Sequence, residues 1–163
     1  MATRLILVAM ALVLVWSSVA AQRSASQAGI EGVWRAVEQT INGRTLTGQN
    51  LGVGFHIYTK GYVAAVRESG VPPRPGFRSD GTPTAAQILA AYGPFVAQFG
   101  SYEISGDRII SQTLVAKNPE NMNRAPGVQR FRVEGNTLIL TSPYDKTGSA
   151  GERTIILRMV RVE

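Results

Sequence analysis

A chain of 163 residues is long enough for one domain with a sizeable core. At 44% hydrophobic and 17% charged its composition is globular, and with no cysteine it holds neither a disulfide framework nor thiolate chemistry. The net charge of +6 comes from scattered bases without interleaved aromatics, which favours anionic ligands or anionic envelope surfaces over nucleic acid.

The N-terminal stretch reads as an address. Arg4 precedes an unbroken apolar run from Leu5 to Trp16, and Ser18-Val19-Ala20-Ala21 offers small residues before a cut. The run is short of the roughly 20 residues that a membrane span needs. The expectation is a cleaved signal peptide over 1–21, a polar linker over 22–28 and a single domain over 29–163. A secreted or periplasmic location follows, with no stable membrane insertion after cleavage.

Strand patterns then dominate. The first runs from Gly32 to Ile41, with Trp34, Ala36, Glu38 and Thr40 expected on one face. Asn42-Gly43 signals a hairpin, and Arg44 to Asn50 reads as a polar connection. Gly54 to Lys60 and Tyr62 to Arg67 form the next pair. A loop from Ser69 to Gly81, rich in proline, leads into the only long helical pattern of the mature chain.

In that pattern Ala85, Ile88, Leu89, Tyr92, Phe95, Val96 and Phe99 recur at helix spacing. Thr82 is placed to cap the first turn, with Pro83 at the first helical position. Gly93-Pro94 predicts a break, with a helix from about Pro83 to Tyr92 and a short further turn from Pro94 to Phe99. Tyr92 and Phe95 flank the break as candidate lid residues. Strands resume at Ser101–Ser105, Arg108–Lys117, Val128–Glu134, Thr137–Ser142 and Glu152–Val162. Eight strands joined by short turns predict a mainly β fold, a single antiparallel up-and-down barrel with one α-helix closing or flanking it.

Gly32-Val33-Trp34 resembles the Gly-x-Trp signature of lipocalins, and Arg161 stands where lipocalins set an arginine over that indole. The order of Gly54-Phe55-His56-Ile57-Tyr58-Thr59, Gly61-Tyr62-Val63-Ala64-Ala65, Phe99-Gly100-Ser101-Tyr102-Glu103 and Leu138-Ile139-Leu140-Thr141-Ser142-Pro143 is similar to the bacterial and fungal lipocalin-like domain family. The resemblance spans 29–162 and implies a calycin-type barrel that binds a small molecule. The histidines that members carry on the strand written here Ile109-Ile110-Ser111-Gln112 are lacking.

Candidate ligand-binding residues follow from a guess at which faces point inward. Glu38 shares the Trp34 face, where it is either an interior carboxylate or a solvated one. His56, the sole histidine, is either a wall residue or a proton-transfer group. Tyr58, Tyr92 and Tyr102 combine apolar bodies with polar tips, and Phe95 completes the lid. Gln112 is expected inward with Ile110 and Leu114, and Arg130 forms with Glu103 either an interior pair or a surface one.

No metal set, phosphate loop, catalytic triad or paired-carboxylate pattern stands out, so no cofactor or metal is expected. Three functions remain open: an exported barrel binding a small hydrophobic or amphipathic ligand, a cyclase or isomerase acting on a small hydrophobic substrate, and a structural envelope domain with a filled interior.

Overall fold

The computed structural model describes residues 29–68, 74–77, 81–143 and 154–163. The expected signal peptide, the linker, most of the proline-rich loop and the loop before the last strand lie outside the described residues. Nine antiparallel strands form one sheet: β1 (Gly32–Ile41), β2 (Arg44–Thr47), β3 (Val53–Thr59), β4 (Tyr62–Glu68), β5 (Phe95–Ser105), β6 (Arg108–Ala116), β7 (Gly127–Glu134), β8 (Thr137–Pro143) and β9 (Thr154–Arg161). β9 pairs back onto β1, which closes eight strands into a barrel. β2 is the extra strand. It pairs with the second half of β1, from Glu38 to Ile41, while β3 pairs with the first half.

β2 and the short helix α1 (Gly48–Leu51) occupy the stretch expected to be a plain polar connection. The hairpin at Asn42-Gly43 turns the chain there, with both residues at positive φ, as a tight two-residue turn requires.

The two ends of the barrel differ. Tight turns at Lys60-Gly61, Gly106-Asp107 and Gly135-Asn136 form one end. The longer connections 42–52, 69–94, 117–126 and 144–153 all leave from the other. The tight-turn end is the floor. Trp34, Ile30, Ile109, Leu138 and Met159 are fully buried there, and Tyr58 and Tyr102 meet edge to face at 5.3 Å.

The floor is sealed by Arg161. Its guanidinium lies 4.1 Å over the Trp34 ring and donates to the carbonyls of Glu31 and Gly29 at 2.5 and 2.7 Å. The Trp34 indole N–H in turn donates to the Ile30 carbonyl at 2.7 Å. Gly32 makes this approach possible. It sits at φ +129, and a Cβ there would fall on the Glu163 carbonyl and the Arg161 guanidinium.

The helix departs from expectation at both ends. α2 spans Ala85–Tyr92 and its cap is Thr84 rather than Thr82. The Thr84 hydroxyl accepts from the Gln87 amide at 3.3 Å, and the Gln87 side chain accepts from the Thr84 amide at 2.8 Å. This reciprocal box fixes the start. Pro94 ends the helix, and the residues beyond it enter β5 as strand instead of forming a second helical turn. Lys117 gathers the exit: its ammonium donates to the carbonyls of Tyr92, Gly93 and Phe95. Apart from Ala91 the helix buries nothing, and Leu89 is 73% exposed. It flanks the open end of the barrel.

Candidate functional site

Register decides which side chains share the interior. On the β3–β4–β5 wall, His56 pairs with Ala65 and Ala65 with Gln98; Gly54 pairs with Arg67 and Arg67 with Val96. On β6 and β7, Ser111 pairs with Gly127, and Ile109 with Gln129. On the closing seam, Gln39 faces the same way as its partner Leu157, and Ala36 the same way as Met159.

Two irregularities set this pattern. One lies between Ala36 and Glu38 on β1 and turns Gln39 inward after Trp34 and Ala36. The other lies between Phe99 and Gly100 on β5, where a Cβ on Gly100 would strike the Gln112 carbonyl.

Interior side chains are unevenly distributed in size. β1, β8 and β9 contribute Trp34, Leu138, Leu140, Leu157 and Met159 to the core. The opposite wall contributes Gly54, Ala65, Gly100, Ser111 and Gly127. Of these, Ser111 and Gly127 border space at the open end. A cavity of about 520 Å³, open to solvent, lies there against Gln98, Ser111, Thr113, Gln129, Ser142 and the β6–β7 connection at Asn121 and Arg124. The lining is mostly polar. Gln129 and Ser142 are joined by a 2.5 Å hydrogen bond.

On the β3–β4 part of the wall stand His56, level with Ala65 and Gln98, and Arg67, two residues nearer the open end. Burial, and then the Arg67 charge, push the His56 imidazole down to about 4, so it is neutral at physiological pH. His56 is part-buried and shares its face of the wall with Ala65 and Gln98. Arg67 donates to the Gln39 side-chain oxygen at 3.1 Å. Burial lowers the Arg67 pKa, yet a guanidinium starting so high stays charged. Burial and the neighbouring Tyr102 raise the Tyr58 pKa, so its phenol keeps its proton.

The sequence-derived candidates scatter across this geometry. Glu38 points outward, because the irregularity on β1 shifts its face, and it meets Arg158 at 3.6 Å on the surface. Gln112 also points outward, between the cavity residues Ser111 and Thr113. Its amide donates to the Arg124 carbonyl, at 3.4 Å, and so ties down the cavity rim from behind. Arg130 lies on the outer face, 3.8 Å from Asp107, bordering a surface groove with Arg132, Ile139, Ile156 and Arg158; Glu103 is not its partner.

Phe95 alternates with the inward Val96 and carries Arg74 over its ring at 5.0 Å. Phe95 therefore faces outward instead of over the barrel opening. Tyr92 rests against Phe77 at the rim. Tyr58 and Tyr102 are inward but packed into the floor, with the Tyr102 hydroxyl donating to the Thr59 carbonyl at 2.9 Å. Of the eight, none lines the cavity, and His56 alone faces the interior above the floor. Arg67, Gln39, Gln98, Ser111, Thr113, Gln129 and Ser142 escaped the sequence reading. Pairing outward from the Asn42-Gly43 and Lys60-Gly61 turns carries the signal for Arg67.

Among the described residues no group of three His, Asp or Glu could hold a metal ion, and no helix is long and apolar enough to cross a membrane. Comparison with family models, with characterised proteins and with solved structures finds no match for this chain.

Proposed function

We propose that this chain is an exported, lipocalin-like barrel that takes one small amphipathic molecule into its open end. The observation that carries the reading is the cavity of about 520 Å³ above a sealed floor. Its size falls in the range of about 300–1,000 Å³ that small-molecule sites occupy. The small residues Ser111 and Gly127 border the space, and hydroxyls and amides around it supply orienting contacts. The Trp34–Arg161 contact supports the lipocalin-like part, and the Leu5–Trp16 run supports export.

Catalysis by proton transfer draws less support. His56 is held neutral well below pH 7 and Tyr58 keeps its proton well above it, so neither exchanges a proton readily near neutrality. A filled structural barrel draws less support because the space beside Ser111 and Gly127 is left unfilled.

Gly127 offers the test. A Cβ there would meet only the Ser111 hydroxyl, at 3.8 Å, so a larger side chain fits the backbone and projects into the cavity. Binding of a neutral amphipathic dye, N-phenyl-1-naphthylamine, is expected to weaken at least tenfold in Gly127→Leu with the thermal midpoint held. Unchanged dye affinity in a folded Gly127→Leu would remove this cavity as the site. N-terminal sequencing of the protein recovered from its host checks the export reading, with a first residue near Gln22 expected.

A further inference from the structure

Five of the described arginines, Arg74, Arg124, Arg130, Arg132 and Arg158, have a carboxylate within ion-pair reach, and all five pairs lie at least partly in solvent. Arg67 does not. It points into the barrel, and among the described residues its one hydrogen-bond partner is the neutral Gln39 amide and no acid reaches it. A charge taken from water without a counter-charge is destabilising.

The fold nonetheless makes room for it. A Cβ on Gly54, directly opposite in the β3–β4 register, would stand 3.0 Å from the Arg67 Cγ and 3.4 Å from its Cβ and Cδ. The glycine therefore lets the arginine stem lie flat across the inner face of β3. No buried side-chain nitrogen or oxygen among the described residues is left without a partner. The remaining Arg67 N–H groups, which bond to no described residue, therefore open onto accessible space. Gln98, on the cavity wall, is the diagonal neighbour of Arg67 across the β4–β5 pair.

We propose that Arg67 is an anion anchor that receives the carboxylate of a monoanionic amphipathic ligand, with Gln39 and His56 as flanking donors. The proposal rests on the binding reading above and names the ligand class for it. A planar guanidinium matches a two-oxygen carboxylate in a bidentate fork. One unmatched positive charge calls for one negative charge. The Gln39 oxygen already accepts from Arg67, which leaves its NH₂ to donate, and a neutral imidazole has one N–H to give. Gln98, Thr113 and Ser111 then border the body of the ligand.

The test is a calorimetric titration of the full mature chain with octanoate and with octan-1-ol at pH 7.5. Octanoate is expected to bind at least tenfold more tightly than the alcohol. In Arg67→Gln the octanoate affinity is expected to fall to that of the alcohol, with the alcohol affinity unchanged. Arg67→Lys, which keeps the charge without the fork, is expected to lie between. His56, as the sole histidine, gives an independent readout: its imidazole resonances should move with octanoate far more than with octan-1-ol.

The thermal midpoint of ligand-free Arg67→Gln should not fall, because an uncompensated charge is being removed; a fall would mark Arg67 as structural and overturn the anchor. Equal binding of the two probes by the wild-type chain, or undiminished octanoate binding by Arg67→Gln, would overturn the anchor and leave the binding barrel standing. Failure of both probes to bind would overturn both.

Discussion

His56 ties the stability of the barrel to pH. Its folded pKa of about 4 lies below the ordinary 6.5, so on acidification the unfolded chain takes up a proton before the folded one does. Stability is therefore unaffected above about pH 6.5 and is lost progressively as the pH falls from there towards 4. By pH 4.5 the loss should reach about 2–3 kcal/mol, and His56→Phe should abolish that part of the slope in urea titrations at pH 7.5 and 4.5. Arg161 is the other residue with a large expected effect. Arg161→Ala removes the guanidinium from the Trp34 face and from two backbone carbonyls, for an expected cost of about 2–4 kcal/mol in chemical denaturation.

These residues differ in how legible they were. Trp34 and Arg161 carry their chemistry in their identity and their places in the order of strands, and the structure brings them together as the lipocalin resemblance implies. Arg67 looked like any other scattered base. Its meaning comes from the lack of an acid partner among the described residues and from a glycine thirteen positions earlier, and neither is local in sequence.

At the scale of elements, irregularities in pairing moved the candidate site. Strict alternation along β1 puts Glu38 with Trp34, whereas the irregularity between Ala36 and Glu38 puts Gln39 inside instead. On β6 the more apolar face, Ile110 and Leu114 with Gln112, was the tempting interior; the buried Ile109 begins the true one. Gly100→Ala should confirm how tightly β5 is held at its own irregularity. With the Gln112 carbonyl and the Thr113 backbone in the way of any Cβ, a loss of about 2–4 kcal/mol is expected by thermal denaturation.

The helix shows the opposite sensitivity. α2 owes its limits to the Thr84–Gln87 box, Pro94 and the Lys117 ammonium, and little to burial. Thr84→Ala should cost about 1 kcal/mol of helix stability, seen as faster amide exchange from Gln87 to Tyr92, with the global unfolding midpoint nearly unchanged. The two threonines at 82 and 84 looked alike in the sequence. The glutamine three residues beyond Thr84 distinguishes them.

The whole molecule was the most legible level. Hairpin turns between alternating runs implied an antiparallel barrel, and a barrel of eight strands with one added strand is what forms. Where the small residues fall around its wall required the register, so the cavity was not readable in advance. Most strand pairs are local, but the closing pair joins Trp34 to Arg161, nearly the full length of the described chain. Such long-range closure favours folding in milliseconds to seconds, which stopped-flow Trp34 fluorescence would measure.

That seam also governs what happens while the chain is being made. β1 leaves the ribosome long before β9, and until β9 arrives one of its edges has no strand to meet. Two chains caught together in that interval could trade last strands, each β9 completing the other's barrel through the same backbone hydrogen bonds. Refolding at rising protein concentration is therefore expected to yield a strand-exchanged dimer, separable by size and slow to revert. Purely monomeric refolding at every concentration would show that β9 finds its own β1 too quickly for a neighbour to compete.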